Sequence, residues 1–256
     1  MGKLFDISVV FSSIPKLLKY LPISLEITAV SMVLGLLFGL LLAIIRIKKI
    51  PVIDKIVAFF VSFIRGTPII VQLYMTYYVI PMILKSINLQ YGTDYSIKAI
   101  PDMLFVFITF AFNEAAYNSE IIRAALQSVQ KGQIEAAESL GMRYFQVLRR
   151  VILPQAATVA IPPLGNSLIG LLKGTSLAFV AGVIEMTAAG KIISGSNFRF
   201  FEVYLALAII YWALTIIIER IILIIEKSLK IPDLASKEGK QGIRGGLFFF
   251  GGGDRV

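Results

Sequence analysis

The chain has 256 residues, of which 57% are hydrophobic and 16% charged, and its formal net charge is +9. A soluble domain of this length carries more charge on its surface, so the composition favours a membrane protein. Cysteine and histidine are both absent, which excludes disulfides, thiol nucleophiles, imidazole bases and the usual zinc ligands. The basic excess is typical of cytoplasmic membrane loops, and we expect no nucleic acid as a partner and no bound metal.

The first 20 residues predict a short amphipathic helix lying at a membrane interface, with Lys16 and Lys19 reaching the headgroups. Five hydrophobic segments follow, each of the length that crosses a bilayer. These predicted spans are residues 21–47, 56–84, 100–125, 158–183 and 202–225. The chain is therefore predicted to be an all-α integral membrane protein, with polar loops at 85–98 and 185–201.

Two spans carry signals that break a helix, and one carries a signal for close packing. Arg65-Gly66-Thr67-Pro68 and Pro162-Pro163 predict breaks, because proline removes a backbone donor. Gly35 and Gly39 are four residues apart, which lets a second helix approach closely.

The distribution of Lys and Arg predicts the orientation of the spans. Basic residues concentrate after the first, third and fifth spans, which places those ends in the cytoplasm. The N-terminus is then outside, the C-terminus inside, and the polar segment at about residues 126–156 cytoplasmic.

This polar segment, which contains KGQIEAAESLGMRYFQVLRRVILPQA, has two sets of apolar residues at helical spacing. Gly141 separates them, so the pattern predicts two short amphipathic helices that meet at a glycine turn. The pattern alone leaves two interpretations open. The loop either docks on another protein or lies on the inner leaflet.

The residues of this loop resemble the EAA loop of the membrane subunits of ABC importers. That motif is EAA, three residues, Gly, nine residues and then Ile-x-Leu-Pro; Val151 stands here in place of the usual Ile. The resemblance implies that the loop docks on the ATPase subunit and transmits its motion to the spans. The implied coupling residues are Glu135, Ala136, Ala137, Gly141 and Pro154.

Three further segments resemble the polar amino-acid permeases within that family. They are RGTPIIVQ from Arg65, AAYNSEIIRAAL from Ala115 and PPLGNSLIGLLKGTSL from Pro162. Gly174 stands where those permeases usually have Asp, which leaves any role of that Asp without a counterpart. The resemblance covers about residues 10–232 and implies a type I ABC-importer fold in a bacterial cell membrane.

The resemblance also implies the organisation of the chain and its partners. It implies a permease domain at 21–232, with its cytoplasmic coupling loop at about 126–156. The amphipathic pattern sets off an N-terminal segment at 1–20, and the Gly-rich composition at the other end predicts a disordered tail or cloning remnant at 233–256. The implied partners are an ABC ATPase, an extracellular binding protein, a second permease copy and a polar amino acid. No phosphate-binding loop occurs in the sequence, so we expect no enzyme activity or cofactor on this chain, with ATP and Mg on the ATPase.

Polar residues inside the spans are the candidates for a substrate pathway, because they are costly in a bilayer. They are Arg65, Thr67, Gln72, Asn113, Glu114, Tyr117, Asn118, Asn166, Lys173, Thr175 and Ser176. Glu114 either meets a substrate ammonium group or pairs with Lys173, whereas Glu120 is expected to pair with Arg123.

Three functions fit these observations. The first is the membrane subunit of an importer for cystine, glutamine or a basic amino acid. The second is an ion-coupled secondary amino-acid transporter in which Glu114 carries a proton. The third is a membrane scaffold without transport activity, which the helix breaks and buried charges disfavour.

Overall fold

The computed structural model of the protein describes residues 5–229, and the regular elements within that range are all helical. The predicted all-α class is thereby confirmed. The prediction for the tail at 233–256 lies outside the described residues.

Ten α-helices form the described part of the chain. They are α1 Ile7–Leu18, α2 Leu21–Lys48, α3 Ile53–Gly66, α4 Ile69–Tyr91, α5 Asp102–Gln127, α6 Lys131–Ser139, α7 Tyr144–Val147, α8 Leu153–Gly174, α9 Met186–Asn197 and α10 Phe200–Leu229. Short 3₁₀ helices at Ile97–Ala99 and Thr175–Ala181 precede α5 and follow α8, and a π-helical turn at Leu148–Ile152 joins α7 to α8.

Four helical stretches are long and apolar enough to cross a membrane: α2, α4, the continuous run Tyr144–Ala181 that contains α8, and α10. The remaining predicted span corresponds to α5, whose 26 residues extend about 39 Å. Its polar side chains are mostly buried against neighbouring helices, which is how a bilayer tolerates them. The five predicted spans therefore all occur as helices.

The centre of the fold is the contact between α2 and α5, which Gly35 and Gly39 make possible. A Cβ added at Gly35 would lie 2.5 Å from Cβ of Glu114, and one added at Gly39 would lie 3.1 Å from N of Ser119. Only glycine leaves room for backbones this close. The predicted role of the two glycines is confirmed.

The predicted break in the second span is also confirmed. Helix α3 ends at Gly66, Thr67 is extended with φ −116° and ψ 144°, and α4 starts after Pro68. A proline disfavours helical geometry in the residue before it, which accounts for the position of the break.

The break predicted at Pro162-Pro163 is wrong, because α8 runs through both prolines. Proline has a φ compatible with a helix, and packing of α8 against α5 and α10 compensates for the lost backbone bonds. The regular helix instead ends at Gly174, and the 3₁₀ helix that follows it stops at Gly182, which has φ +84°.

Both predicted outer loops are shorter than expected. Helix α4 continues to Tyr91, because the first residue that stops it is Gly92, with φ +65°. The segment predicted as a polar loop at 185–201 contains α9, whose N-cap is Glu185. A polar composition does not prevent a helix when its first turn is capped.

The predicted N-terminal helix occurs as α1, and its apolar stripe packs on the protein. Val10 and Leu17 are fully buried in a cluster with Met186, Leu207 and Ile210 of α9 and α10. Helix α1 is therefore held against α9 and α10 by contacts within the chain, as well as by any contact with headgroups.

Candidate functional site

The cytoplasmic loop folds as the predicted pair of short helices, α6 and α7, with a turn at Gly141. The N–H of Met142 donates to the carbonyl oxygen of Ala137 at 3.2 Å, and that of Gly141 donates to Glu138 at 2.8 Å. This pair of bonds is the Schellman ending of a helix, and it needs a left-handed residue, here Gly141 at φ +79°.

The loop presents one face to the helical body and another to solvent. Ala137 and Val147 are buried, at 6% and 1% exposure, and fix the two short helices. Glu135 and Ala136 are exposed. The same loop exposes large apolar side chains, namely Leu140, Tyr144 and Phe145. An exposed apolar patch beside small residues is typical of a protein docking surface.

The connection from the loop to the membrane is helical throughout. The π-helical turn Leu148–Ile152 follows α7 directly and leads into α8, with Pro154 in the first turn of α8. A displacement of α7 can therefore reach α8 without crossing a flexible segment.

Gln72 holds together the break between α3 and α4. Its Nε2 donates to the carbonyl oxygen of Ile64 at 2.7 Å and lies 2.9 Å from Oγ1 of Thr67, while Asn113 Nδ2 donates to its Oε1 at 3.0 Å. Three of the predicted pathway residues, Thr67, Gln72 and Asn113, thus form one partly buried network that ties the break to α5.

Arg65 and Tyr117 form a separate pair, because the guanidinium of Arg65 lies over the Tyr117 ring at 5.4 Å from its centroid. Both residues are exposed. Tyr117 is exposed, although Glu114 and Asn118, one helical turn before it and one residue after it, are buried.

Glu114 lies where α2, α5 and α8 meet, and it is 6% exposed. Its Oε2 accepts hydrogen bonds from Oγ of Ser167 on α8 at 2.7 Å and from Nδ2 of Asn118 at 3.3 Å. No ion pair joins it to Lys173 among the described residues. In place of that considered pairing, Glu114 uses neutral donors.

The remaining candidate pathway residues, on α8 and the following 3₁₀ helix, differ in how exposed they are. Asn166 and Lys173 are exposed, and Ser176 is partly buried. Thr175 is fully buried, and its hydroxyl donates to the carbonyl oxygen of Leu172 at 2.7 Å. Asn166 and Lys173 are seven residues apart on α8 and therefore share a face, and this face is exposed.

Glu120 and Arg123 form the expected pair near the cytoplasmic end of α5. Arg123 Nε donates to Oε2 of Glu120 at 3.0 Å. Both side chains are partly exposed. This prediction is confirmed, and the pair needs no role in the pathway.

A second buried carboxylate, Glu185, was not among the residues predicted from the sequence, and it has zero exposure. Its oxygens accept bonds from the N–H groups of Thr187 and Ala188 at 2.9 and 2.8 Å, from Tyr211 OH at 3.2 Å and from Ser24 Oγ at 3.4 Å. Burial raises the pKa of Glu185, and these hydrogen bonds oppose that effect. An acidic residue just before a helix was the signal that could have identified it.

The fold is a bundle of membrane-spanning helices with a helical cytoplasmic loop that exposes an apolar patch. Residues 35–231 match the family described as "Binding-protein-dependent transport system inner membrane component". The chain belongs to this family, and it is a multi-pass membrane protein.

Curated relatives narrow the family to amino-acid transport. The chain is 43% identical over 206 residues to the probable amino-acid permease protein YxeN of Bacillus subtilis, covering 80% of this chain and 88% of that one. It is 43% identical over 211 residues to the L-cystine transport system permease protein TcyL of Bacillus subtilis, covering 82% and 86%. It is 35% identical over 207 residues to the glutamine transport system permease protein GlnP of Escherichia coli K12, covering 81% and 90%.

Solved structures support the same fold. A crystal structure of an amino acid ABC transporter with histidines matches with a TM-score of 0.73 and 32% identity, over 88% of this chain and 99% of that chain. An inward-facing structure of the MetNI methionine ABC transporter matches with a TM-score of 0.64 at 19% identity, over 84% and 97%, and shows the fold alone. The chain is thus an amino-acid ABC transporter permease subunit with a type I importer fold.

Proposed function

We propose that this chain is the membrane subunit of an ATP-driven importer in a bacterial plasma membrane, and that it admits a polar amino acid delivered by an extracellular binding protein. The observation that carries the proposal is the α6–α7 loop. Its exposed patch offers a docking surface, and its Schellman turn at Gly141 gives that surface a fixed shape. ATP and Mg bind to the separate ATPase that docks there.

Coupling then runs from the loop into α8 and on to the centre of the permease. Force on α7 passes through the π-helical turn to α8, and Ser167 of α8 bonds directly to Glu114 of α5. A shift of α8 along its axis therefore changes a contact at the point where α2, α5 and α8 meet. We propose this sequence of contacts as the transmission path.

A second permease copy completes the pathway. The apolar surfaces of α4 and α10 are largely unburied, and Asn166 and Lys173 face away from the helical body. Polar groups in a membrane line a cavity or meet a partner. Pairing two permeases places these side chains in a shared interior, where Lys173 is available to a substrate carboxylate.

The first substrate to test is L-cystine, since the relative named for it is 43% identical whereas the relative named for glutamine is 35% identical. Glutamine and basic amino acids complete the panel. Uptake into proteoliposomes that contain the chain, its ATPase and its binding protein measures the preference directly.

The discriminating experiment is co-purification with the products of the neighbouring genes, followed by an assay of ATP hydrolysis. A stoichiometric ATPase whose activity rises with substrate and binding protein supports the importer. Uptake by the chain alone, driven by an ion gradient without ATP, supports the ion-coupled alternative, with Glu114 as the proton carrier.

We predict that Gly141→Pro uncouples the loop, because proline has φ near −65° and cannot adopt +79°. Substrate-stimulated ATP hydrolysis should fall about tenfold or more, a loss of about 1.4 kcal/mol or more in coupling. Membrane insertion should remain normal. Gly132→Ala is the matched control, since Gly132 lies in the same loop with open space around its Cβ position. Normal stimulation in Gly141→Pro would contradict the coupling assignment.

A further inference from the structure

An apolar groove of about 590 Å³ opens at the cytoplasmic end of the permease. Three walls form it: the end of α2, the end of α5, and the run from α7 through the π-helical turn into α8. Its apolar lining includes Leu40, Ile44, Ile122, Leu148, Ala157 and Ala160. Among residues 5–229, none of the side chains that line it is acidic, and Lys48 contributes the one cationic group to the lining.

The groove reaches too deep for a soluble partner to fill it. Leu40 and Lys48 are eight residues apart on α2, so the groove extends about 12 Å along that helix from its cytoplasmic end. That depth lies within the apolar part of a span and matches the level of lipid chains. An ATPase docked on α6 and α7 would meet the mouth of the groove and leave its inner part empty.

The charge around the mouth favours an anionic occupant. Lys48 is exposed and has no ion pair in the described part of the chain. Lys49 and Arg149, which are also exposed, adjoin the lining residues Lys48 and Leu148 in the sequence. A two-fold contact through this groove would bring the same basic residues of a second permease together, which is unfavourable. An anionic lipid headgroup is complementary to them.

We propose that this groove binds an anionic phospholipid of the inner leaflet, with one acyl chain along α2 and α8 and the phosphate at Lys48. Basic pockets between membrane helices on the cytoplasmic side are typical sites for anionic headgroups. The lipid also contacts Tyr144, Leu148 and Ile152, which belong to the segment that joins the coupling loop to α8. Its presence would fill a void behind that segment and fix its position.

The test uses the transporter as purified with its partner subunits in mild detergent. After delipidation, phosphatidylglycerol or phosphatidylcholine is added back, and native mass spectrometry counts the lipids retained. We expect phosphatidylglycerol to be preferred, and Lys48→Gln to lower its retention about fivefold, the factor expected of one basic residue. Lys55→Gln is the matched control, because Lys55 is an exposed lysine near the same end of the spans but does not line the groove.

A second variant tests the groove itself. Ala157→Leu fills part of the cavity without changing charge, and it should lower retention of both lipids. Equal retention of the two lipids in the wild type, with no effect of Lys48→Gln, would overturn the proposal. A photo-crosslinker on Ala157→Cys, in a chain otherwise free of cysteine, should capture lipid, and capture of any polypeptide would overturn it too. Neither readout requires transport or ATP, so failure here is distinct from failure of the proposed function.

Discussion

The regions around Glu185 and Glu114 each bury a carboxylate, and the two carboxylates differ in how many hydrogen bonds they accept. Glu185 accepts four hydrogen bonds, two of them from the backbone of α9, and these fix α2, α9 and α10 to one another. Glu114 accepts two, both from side chains and both on one oxygen. An ionised carboxylate accepts about four. The first region is a fixed joint, whereas the second keeps capacity for another donor.

The largest effect should come from Glu185→Ala. The change leaves the buried N–H groups of Thr187 and Ala188 without their acceptor. It also removes one partner of the Tyr211 hydroxyl, which still lies 3.1 Å from Oγ1 of Thr187. Destabilisation of about 3 kcal/mol is expected from a lost cap and unsatisfied donors. Thermal unfolding of the purified protein measures it, with Glu114→Ala as the comparison. A loss for Glu114→Ala as large as that for Glu185→Ala would break the distinction between the two regions.

Gly35→Ala should be the next largest effect, because the added methyl meets Cβ of Glu114 at 2.5 Å. Separation of α2 from α5 should cost about 2 kcal/mol, as overpacking in a tight core does. Gly170→Ala is the matched control, since Gly170 lies in α8 with open space around its Cβ position. Thermal stability measured in the same detergent should fall only for Gly35→Ala; equal values would show that the α2–α5 contact adjusts.

Glu114→Gln should affect transport more than stability. The change keeps the shape of the side chain but replaces the carboxyl group that Ser167 and Asn118 bond to with an amide, and a buried hydrogen bond that loses its partner costs about 1 kcal/mol or more. Transport should fall on the order of tenfold. Glu120→Gln should change transport little, because partly exposed ion pairs contribute under about 1 kcal/mol. Initial uptake rates of the two variants test this prediction. Equal losses in Glu114→Gln and Glu120→Gln would show that Glu114 has only a structural role.

Tyr211→Phe and Ser167→Ala should give the smallest effects and the sharpest contrast. Each removes one neutral donor from a buried carboxylate, at a cost of about 1 kcal/mol in unfolding free energy. Tyr211→Phe should leave the uptake rate of the folded protein unchanged, whereas Ser167→Ala should lower it. Uptake normalised to the amount of folded protein distinguishes the two variants. A loss of uptake in Tyr211→Phe would show that the region around Glu185 also changes during transport.

Features that depend on local sequence were predictable. The break at Pro68, the turn at Gly141 and the close approach at Gly35 each follow from what one residue type permits in its own backbone. The break expected at Pro162 failed because neighbouring helices hold α8 together there. Local signals are decisive when no tertiary contact opposes them.

The partners of buried polar groups were not predictable, because they depend on how each helix is rotated in the bundle. Asn166 and Lys173 share one face of α8, yet Ser167 is the residue that reaches Glu114. Successive residues of a helix are about 100° apart around its axis, so Asn166 and Ser167 point in different directions. Glu185 escaped notice for a related reason, since its donors Ser24 and Tyr211 are distant in sequence and only the fold brings them together.

The π-helical turn between α7 and α8 sets an angle as well as a connection. A π turn closes with a bond one residue longer than an α turn, so it adds one residue to the helix at Leu148–Ile152. One residue corresponds to about 100° of azimuth, and this offset directs Ala156 and Ala160 toward Ala125 of α5. The π turn therefore sets the rotation of α8 about its own axis relative to the loop. Relaxing it to an α turn at the loop would rotate α8.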